Sequence, residues 1–173
     1  RRIIQRAFEN NIVKAPGMQK IREMVQGRIL PTPGAVMEAA ELIYSILGDV
    51  MVVDVGGATT DVHSVTVGDK KIQDILISPE PKAKRTVEGD LGVYIKADNL
   101  IDLLEDYELP ALNRQEISGL VKAIPESQRE KEISNLLAKK AVEVAINRHA
   151  GYLKRVYGTT KAYAAFGKDL SMV

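Results

Sequence analysis

The chain has 173 residues, and its 24 Lys and Arg against 23 Asp and Glu give a formal net charge of +1. This balance argues against nucleic-acid binding through bulk positive charge. The chain contains no Cys, which excludes a disulfide scaffold, a thiolate metal site and a cysteine nucleophile. Its 45% hydrophobic residues suffice for a buried core, and no apolar stretch reaches the ~20 residues of a membrane span. We therefore expect a cytoplasmic globular domain.

Both ends of the sequence have the character of interior segments. No Met opens the chain, and residues 2–9 already have the pattern of an amphipathic helix. Residues 169–173 stop where we expect a strand to begin. These features predict that the chain is a fragment of a longer protein.

Helical patterns precede a central β region. A short helix is predicted over 16–26, and a longer one follows, with Thr32 as its N-cap, Pro33 in its first turn and Gly48 at its end. The apolar residues of the longer helix recur at helical spacing. Three successive strands are then predicted, the first of them buried on both faces. Their ranges are 50–55, 61–67 and 71–77.

Two capping boxes mark helix starts in the second half of the chain. Asn113 is followed three residues later by Glu116, and Ser127 is followed in the same way by Glu130. The second box opens a long helix that we expect to continue to residue 157. The patterns divide most of the chain into two parts. Residues 31–81 contain a connecting helix and the meander of strands, and residues 82–173 are mostly helical.

The octapeptide DVGGATTD at 54–61 carries the most chemical information. It joins a predicted buried strand to the next one through adjacent Gly56 and Gly57. Because glycines lack side chains, backbone N–H groups in such a loop can approach an anion closely. Thr59 and Thr60 add hydroxyl groups that can donate to phosphate oxygens.

Two carboxylates flank this loop. Phosphate would repel Asp54 and Asp61 unless a divalent cation lay between them, and Mg²⁺ is commonly held by one or two carboxylates together with substrate phosphates. An ordinary hairpin turn with flanking acids is the alternative interpretation. The joint occurrence of Asp, Gly-Gly, Thr-Thr and Asp after an apolar strand favours a phosphate loop.

Several polar residues outside the loop have ordinary structural interpretations. His63 is expected to be a structural histidine on one face of the sheet, and His149 a solvated or capping residue on the long helix. Lys82, Lys84 and Arg85 form a small basic cluster, for which a solvated loop and a contact with phosphate or a partner are both open.

The loop and its neighbours resemble a known superfamily. Residues 53–62, VDVGGATTDV, are similar to the second phosphate-binding motif of actin, Hsp70 and the sugar kinases, and the preceding helix resembles their connecting helix. The longer stretch DVGGATTDVHS most resembles the accessory protein of glutamate mutase and its relatives, which are actin-like ATPases associated with adenosylcobalamin-dependent mutases. Further segments resemble that family, so the similarity spans about 31–151. These segments are 31–36, 87–92 and 147–151.

The resemblance implies an α/β, ribonuclease-H-like fold, namely one lobe of an actin-type ATPase with a mixed sheet and helices. It implies that Asp54 and Asp61 hold a hydrated Mg²⁺, that Asp54 also helps to position the attacking water, and that Gly89 approaches the ribose. The β- and γ-phosphates of ATP or ADP would be lined by five consecutive residues, Gly56, Gly57, Ala58, Thr59 and Thr60.

The implied function is that of an ATP-dependent reactivating, chaperone-like accessory factor for an adenosylcobalamin-dependent mutase. A small-molecule kinase or hydantoinase-like hydrolase of the same superfamily and a non-catalytic partner-binding domain are the alternatives. The superfamily clamps phosphate between two hairpins, and this sequence contains one of them. We therefore expect ATPase activity from the intact parent and negligible turnover from this chain alone. Whether the protein forms a homodimer is left open.

Overall fold

The computed structural model describes residues 11, 14, 16–25, 29–158 and 163–173. The chain divides into two compact units, residues 1–39 and 40–173. The second unit contains the strands and the candidate site. The helix predicted over 2–9 lies outside the described residues.

Two described helices precede the sheet in sequence, α1 (Met18–Met24) and α2 (Thr32–Leu47). The start of α2 differs by one residue from the prediction. The Gly34 amide donates to the Pro31 carbonyl at 2.8 Å, so Pro31 takes the N-cap position that we predicted for Thr32. The end of α2 is confirmed, because Gly48 follows it with a φ of 85°, a conformation that glycine adopts without strain.

The main sheet has three antiparallel strands in the order β1-β2-β3. They are β1 (Val50–Val55), β2 (Thr60–Val65) and β3 (Ala83–Glu88). β2 is the central strand, and all six of its residues are buried, whereas every residue of β1 is partly exposed. The prediction that the first strand is buried on both faces is therefore wrong, because among the described strands β1 pairs with β2 alone.

The third predicted strand is also wrong. The segment after the second strand forms a short helix, α3 (Lys70–Gln73), and its N-cap Asp69 accepts a hydrogen bond from the Lys71 amide at 2.7 Å. The cap stabilises a helical turn where the apolar pattern favoured a strand. The third strand of the sheet is instead the segment that carries Lys84 and Arg85.

In the second half of the chain, the described residues form three α-helices, α4 (Ala97–Asp102), α5 (Arg114–Leu120) and α6 (Gln128–Ala150). Both predicted capping boxes are confirmed. Asn113 Oδ1 accepts from the Glu116 amide at 2.9 Å, and the Ser127 hydroxyl accepts from the Glu130 amide at 3.2 Å. The side chain of each glutamate in turn accepts a hydrogen bond from the amide of its cap residue.

The long helix ends earlier than predicted, at Ala150 rather than at residue 157. Gly151 has a φ of 97°, and a Cβ there would lie 2.8 Å from the Cα of Gly167. The chain therefore turns sharply at Gly151 and forms a hairpin. The strands of this hairpin are β4 (Tyr152–Arg155) and β5 (Tyr163–Phe166). A 3₁₀ helix, Asp169–Met172, follows it at the place where we expected a strand.

The hydrophobic core lies between one face of the main sheet and helices α4, α5 and α6. Directly paired residues of antiparallel strands share a face, and alternate residues of one strand lie on opposite faces. The side of the sheet with Met51, Val53, Val55 and Val62, which we call the core face, packs against the helices. The fold is therefore mixed α/β, as predicted at that level. No helix among the described residues has the length and apolar character of a membrane span.

Candidate functional site

The glycine loop closes the hairpin between β1 and β2. The Gly56 amide donates to the Thr59 carbonyl at 2.8 Å, just beyond the last strand pair, Val55 with Thr60. Gly57 and Ala58 form the exposed tip of the loop. The loop therefore joins two paired strands, as the sequence predicted.

A second segment of the chain supports this loop from behind. The Val93 amide donates to the carbonyl of Gly56 at 3.1 Å, and the amides of Tyr94 and Ile95 donate to the carbonyl of Gly57 at 3.0 and 2.7 Å. Two carbonyls of the loop are thus directed towards residues 93–95. Sequence reasoning did not find this support, because the contacts join residues 37 or 38 positions apart in the chain.

The amide groups of the loop tip are available as donors. Within the described part of the chain, no hydrogen-bond acceptor contacts the backbone N–H of Gly57, Ala58 or Thr59. Three successive free N–H groups in a turn whose carbonyls are bonded elsewhere form a favourable environment for an anion. The geometry of the loop therefore suits a phosphate group.

Neither local space nor backbone conformation requires glycine at two positions of the site. A Cβ at Gly57 would lie 3.6 Å from Tyr94 Cβ, an ordinary contact, and a Cβ at Gly89 would meet nothing within 4 Å. Both glycines have φ values outside the left-handed region. Close approach of the backbone to a ligand is one known use of glycine, and an ordinary turn is another.

The two carboxylates of the motif lie side by side. Asp54 of β1 pairs directly with Asp61 of β2, so both side chains lie on the side of the sheet opposite the core face. We call this side, which carries Asp54, Asp61, His63 and Arg85, the polar face. Asp61 is 8% exposed, and its Oδ2 accepts from Arg85 Nη2 at 3.0 Å. Its other oxygen, Oδ1, is buried and has no partner among the described residues.

His63 lies next to this acid pair. Its side chain is fully buried, and neither ring nitrogen has a partner in the part of the chain that the structure describes. Burial lowers the pKa of His63, and the nearby Arg85 charge lowers it further, while Asp61 and Asp54 act in the opposite direction. The imidazole is therefore neutral near pH 7, and its position on one face of the sheet is as predicted.

Thr60 lies on the core face, opposite to its neighbour Asp61. Its hydroxyl donates to the Leu91 carbonyl at 2.5 Å, and its side chain is fully buried. Donation from Thr60 to a phosphate stays a prediction and requires release of this bond. Thr59, which is partly exposed beside the loop tip, has no such internal partner among the described residues.

Gly89 follows β3 at the same end of the sheet as the glycine loop, since Thr60 pairs with Glu88. The residues on either side of Gly89 are held by one arginine that sequence reasoning missed. Arg148 Nη1 donates to Glu88 at 2.8 Å and to Asp90 at 2.9 Å. The turn at Gly89 is therefore anchored to helix α6.

A buried polar cluster connects helix α6 to the core face at a distance from the loop. His149 is fully buried between two hydroxyl groups, with Nδ1 2.8 Å from Thr86 Oγ1 and Nε2 2.9 Å from Ser64 Oγ. The prediction that His149 is solvated or capping is wrong. Burial lowers its pKa to about 4, although the nearby Asp169 carboxylate opposes this shift.

Two of the three residues of the basic cluster do not lie in a loop, whereas Lys82 is an exposed residue of the bend before β3. Lys84 and Arg85 belong to β3, where Lys84 forms an ion pair with Asp169 at 3.0 Å and Arg85 forms the pair with Asp61. Lys82 stacks over the Tyr44 ring, 3.8 Å from its centroid. These internal contacts account for the cluster, which the sequence left open between a solvated loop and an external contact.

A model of the MutL protein family matches residues 1–173. The chain belongs to this family. Protein MutL of Clostridium tetanomorphum is 35% identical to it over an alignment 189 residues long. The alignment covers 96% of this chain and 40% of the relative. The chain thus spans about two fifths of the length of this relative. No solved structure matches the chain.

Membership of the MutL family confirms the family that the octapeptide indicated, whereas its place in the actin and Hsp70 superfamily stays a prediction. Among the described residues of this MutL-family chain, no three His, Asp or Glu side chains converge as a metal site. The polar face offers two carboxylates, and one of them has a buried oxygen without a protein partner.

Proposed function

We propose that the chain binds the phosphates of a magnesium–adenine nucleotide at the glycine loop and supplies one half of the nucleotide site. The observation that carries this proposal is the combination of three free amides, at Gly57, Ala58 and Thr59, with loop carbonyls that are bonded to residues 93–95. A loop fixed in this way presents positive N–H dipoles to an anion without reorganisation.

The polar face fits a hydrated Mg²⁺. Asp61 Oδ1 is a buried oxygen that accepts no hydrogen bond from the described residues, and Asp54 lies directly opposite. Like charges placed opposite each other on a sheet destabilise it, and a divalent cation would relieve that repulsion. Asp54 and Asp61 would hold the ion, which when bound neutralises phosphate charge. Asp54 would also orient a water molecule, and Gly89 would contact the ribose.

At the level of the whole protein, we propose an ATP-dependent accessory factor that reactivates an adenosylcobalamin-dependent mutase of the glutamate mutase type. Membership of the MutL family supports an accessory role, since the sequence resemblance pointed to the accessory protein of glutamate mutase. A γ-phosphate that links two lobes, and whose loss releases them, is a known kind of conformational switch. Turnover would therefore require the full-length protein.

The test measures the ATPase rate of the full-length protein with and without a mutase inactivated in its cobalamin cofactor. We expect the mutase to stimulate turnover, and we expect Asp54→Asn to abolish the stimulation. Gly57→Ala should weaken nucleotide binding at least about tenfold, since a methyl group at the loop tip occupies space that a phosphate needs. Its stability should not fall, because the Cβ makes only an ordinary contact.

Each other outcome contradicts a defined part of the proposal. Turnover that does not respond to the mutase would favour a small-molecule kinase or hydrolase. Nucleotide binding without turnover would favour a non-catalytic binding domain. If magnesium–nucleotide has no effect on the thermal stability of the full-length protein, the phosphate-loop assignment itself fails.

A further inference from the structure

Among the described residues, Arg85 is the cation that contacts the acid pair directly. It lies on β3 opposite His63, and its side chain reaches diagonally to Asp61, where Nη2 lies 3.0 Å from Oδ2. The Asp61 side chain is 11% exposed and that of Arg85 is 36% exposed. The guanidinium thus covers the outer side of a mostly buried carboxylate.

The charged residues that the three described strands place on the polar face do not balance one another. Asp54 and Asp61 contribute two negative charges at directly opposite positions, and Arg85 contributes one positive charge. Arg85 contacts only one oxygen of Asp61, and Oδ1 remains without a partner among the described residues. The face therefore has both a net negative charge and a free carboxylate oxygen.

His63 gives an independent indication that a polar ligand belongs here. It shares the polar face with Asp61, it is fully buried, and the described chain offers no partner to either of its ring nitrogens. Buried polar groups in native proteins are almost always hydrogen-bonded to protein or to ordered water. A hydrated cation beside Asp61 brings water molecules that can bond to the imidazole.

We propose that Arg85 is a positioning residue, which holds Oδ2 of Asp61 and so keeps Oδ1 directed for the magnesium ion of the nucleotide. This inference rests on the proposed function. Carboxylates that bind metals are themselves commonly held by hydrogen bonds, and loss of such a partner typically reduces metal affinity 10- to 100-fold. A guanidinium suits this task because it is always charged and its planar, preorganised donors lose little freedom when one of them bonds to a carboxylate.

Removal of Arg85 has two opposing effects on the affinity for Mg²⁺, so the direction of the measured change distinguishes between them. Arg85 is positive, so its removal would strengthen the attraction of the face for Mg²⁺ if charge alone mattered. Loss of orientation would weaken binding instead. Because Arg85 is partly exposed and solvent screens its charge, we expect the loss of orientation to dominate.

The experiment titrates Mg²⁺ against the binding of a fluorescent ADP analogue to the full-length protein. Arg85→Gln should raise the Mg²⁺ concentration for half-maximal binding at least about tenfold. Arg85→Lys keeps the charge without the fork and should raise it only about threefold. Affinity measured in EDTA should not change. Arg155→Gln is the matched control, since Arg155 also lies on a strand but contacts the Tyr157 ring instead of the acid pair.

A double-mutant cycle separates positioning from a general structural role. If Arg85 acts through Asp61, Arg85→Gln should cause no further change in the Mg²⁺ midpoint once Asp61 is replaced by Asn. Should Arg85→Gln fail to fold, Arg85→Lys is used in the same cycle. An unchanged midpoint, a lower midpoint, or an additive effect in the Asp61→Asn background would each overturn the inference. Wild-type protein that binds no nucleotide would overturn the proposed function as well, so the two failures are distinguishable.

Discussion

Gly92 is the position where the structure makes its sharpest stability prediction. An added Cβ would lie 2.5 Å from Ala58 Cα and 2.6 Å from Ala58 O, which is far inside van der Waals contact with the backbone of the glycine loop. The φ of Gly92 is outside the left-handed region, so alanine is strained by this contact and not by its own backbone. Gly92→Ala therefore tests the packing of the loop against its supporting segment.

The magnitude follows from two opposing terms. Without a collision, replacing glycine by alanine stabilises a protein by about 0.4–1 kcal/mol through the unfolded state. Overpacking of a buried position costs about 1–3 kcal/mol, and here the obstacle is backbone that cannot rotate away. The balance predicts that Gly92→Ala lowers the free energy of unfolding by roughly 1–2 kcal/mol. Displacement of Ala58 should also weaken nucleotide binding.

Urea unfolding of the full-length protein measures the change, with Gly119→Ala as the matched control. Gly119 lies in α5, and a Cβ there meets nothing within 4 Å, so we expect its variant to gain about 0.5–1 kcal/mol. If Gly92→Ala is as stable as Gly119→Ala, the loop does not contact residue 92 as described. The free amides of the loop tip would then have no fixed orientation.

Two further predictions concern the remainder of the second unit. Burial lowers the pKa of His149 to about 4, below its unfolded value of 6.5. The contribution of His149 to the free energy of unfolding should therefore be fully present above pH 6.5. It should decline by up to about 3 kcal/mol as the pH falls towards 4. Chemical unfolding at several pH values measures this decline, and a His149→Gln variant with the same decline would contradict the assignment. Ser127→Ala removes the cap of α6 and should destabilise by about 1 kcal/mol in the same unfolding assay, whereas Ser134→Ala inside that helix should cause no loss.

Local interactions account for what the sequence could predict. The capping boxes at Asn113 and Ser127 are formed within four residues, so their spacing alone specifies them. The glycine loop follows from adjacent glycines between two predicted strands. Family membership could likewise be inferred from the residues of one loop and its surroundings.

Long-range contacts account for what the sequence could not predict. His149 has the spacing of an exposed helical residue, and its burial results from Ser64 and Thr86, which lie 85 and 63 residues away. Arg85 reads as part of a basic cluster, and its partner Asp61 is 24 residues earlier. The edge position of β1 depends on which segment joins the other side of β2, and periodicity within a strand carries no information on that choice.

Because side chains alternate between the two faces of the sheet along β2, neighbouring residues of the octapeptide have different roles. Thr60 and Asp61 are consecutive in the motif, yet they lie on opposite faces, where Thr60 bonds to Leu91 and Asp61 lies beside Asp54. The bond to Leu91 anchors the segment that holds the loop carbonyls through residues 93–95. A register shift of one residue would exchange these positions and remove both the anchor and the acid pair. The register of β2 therefore determines whether the glycine loop and its carboxylates can act on the same ligand.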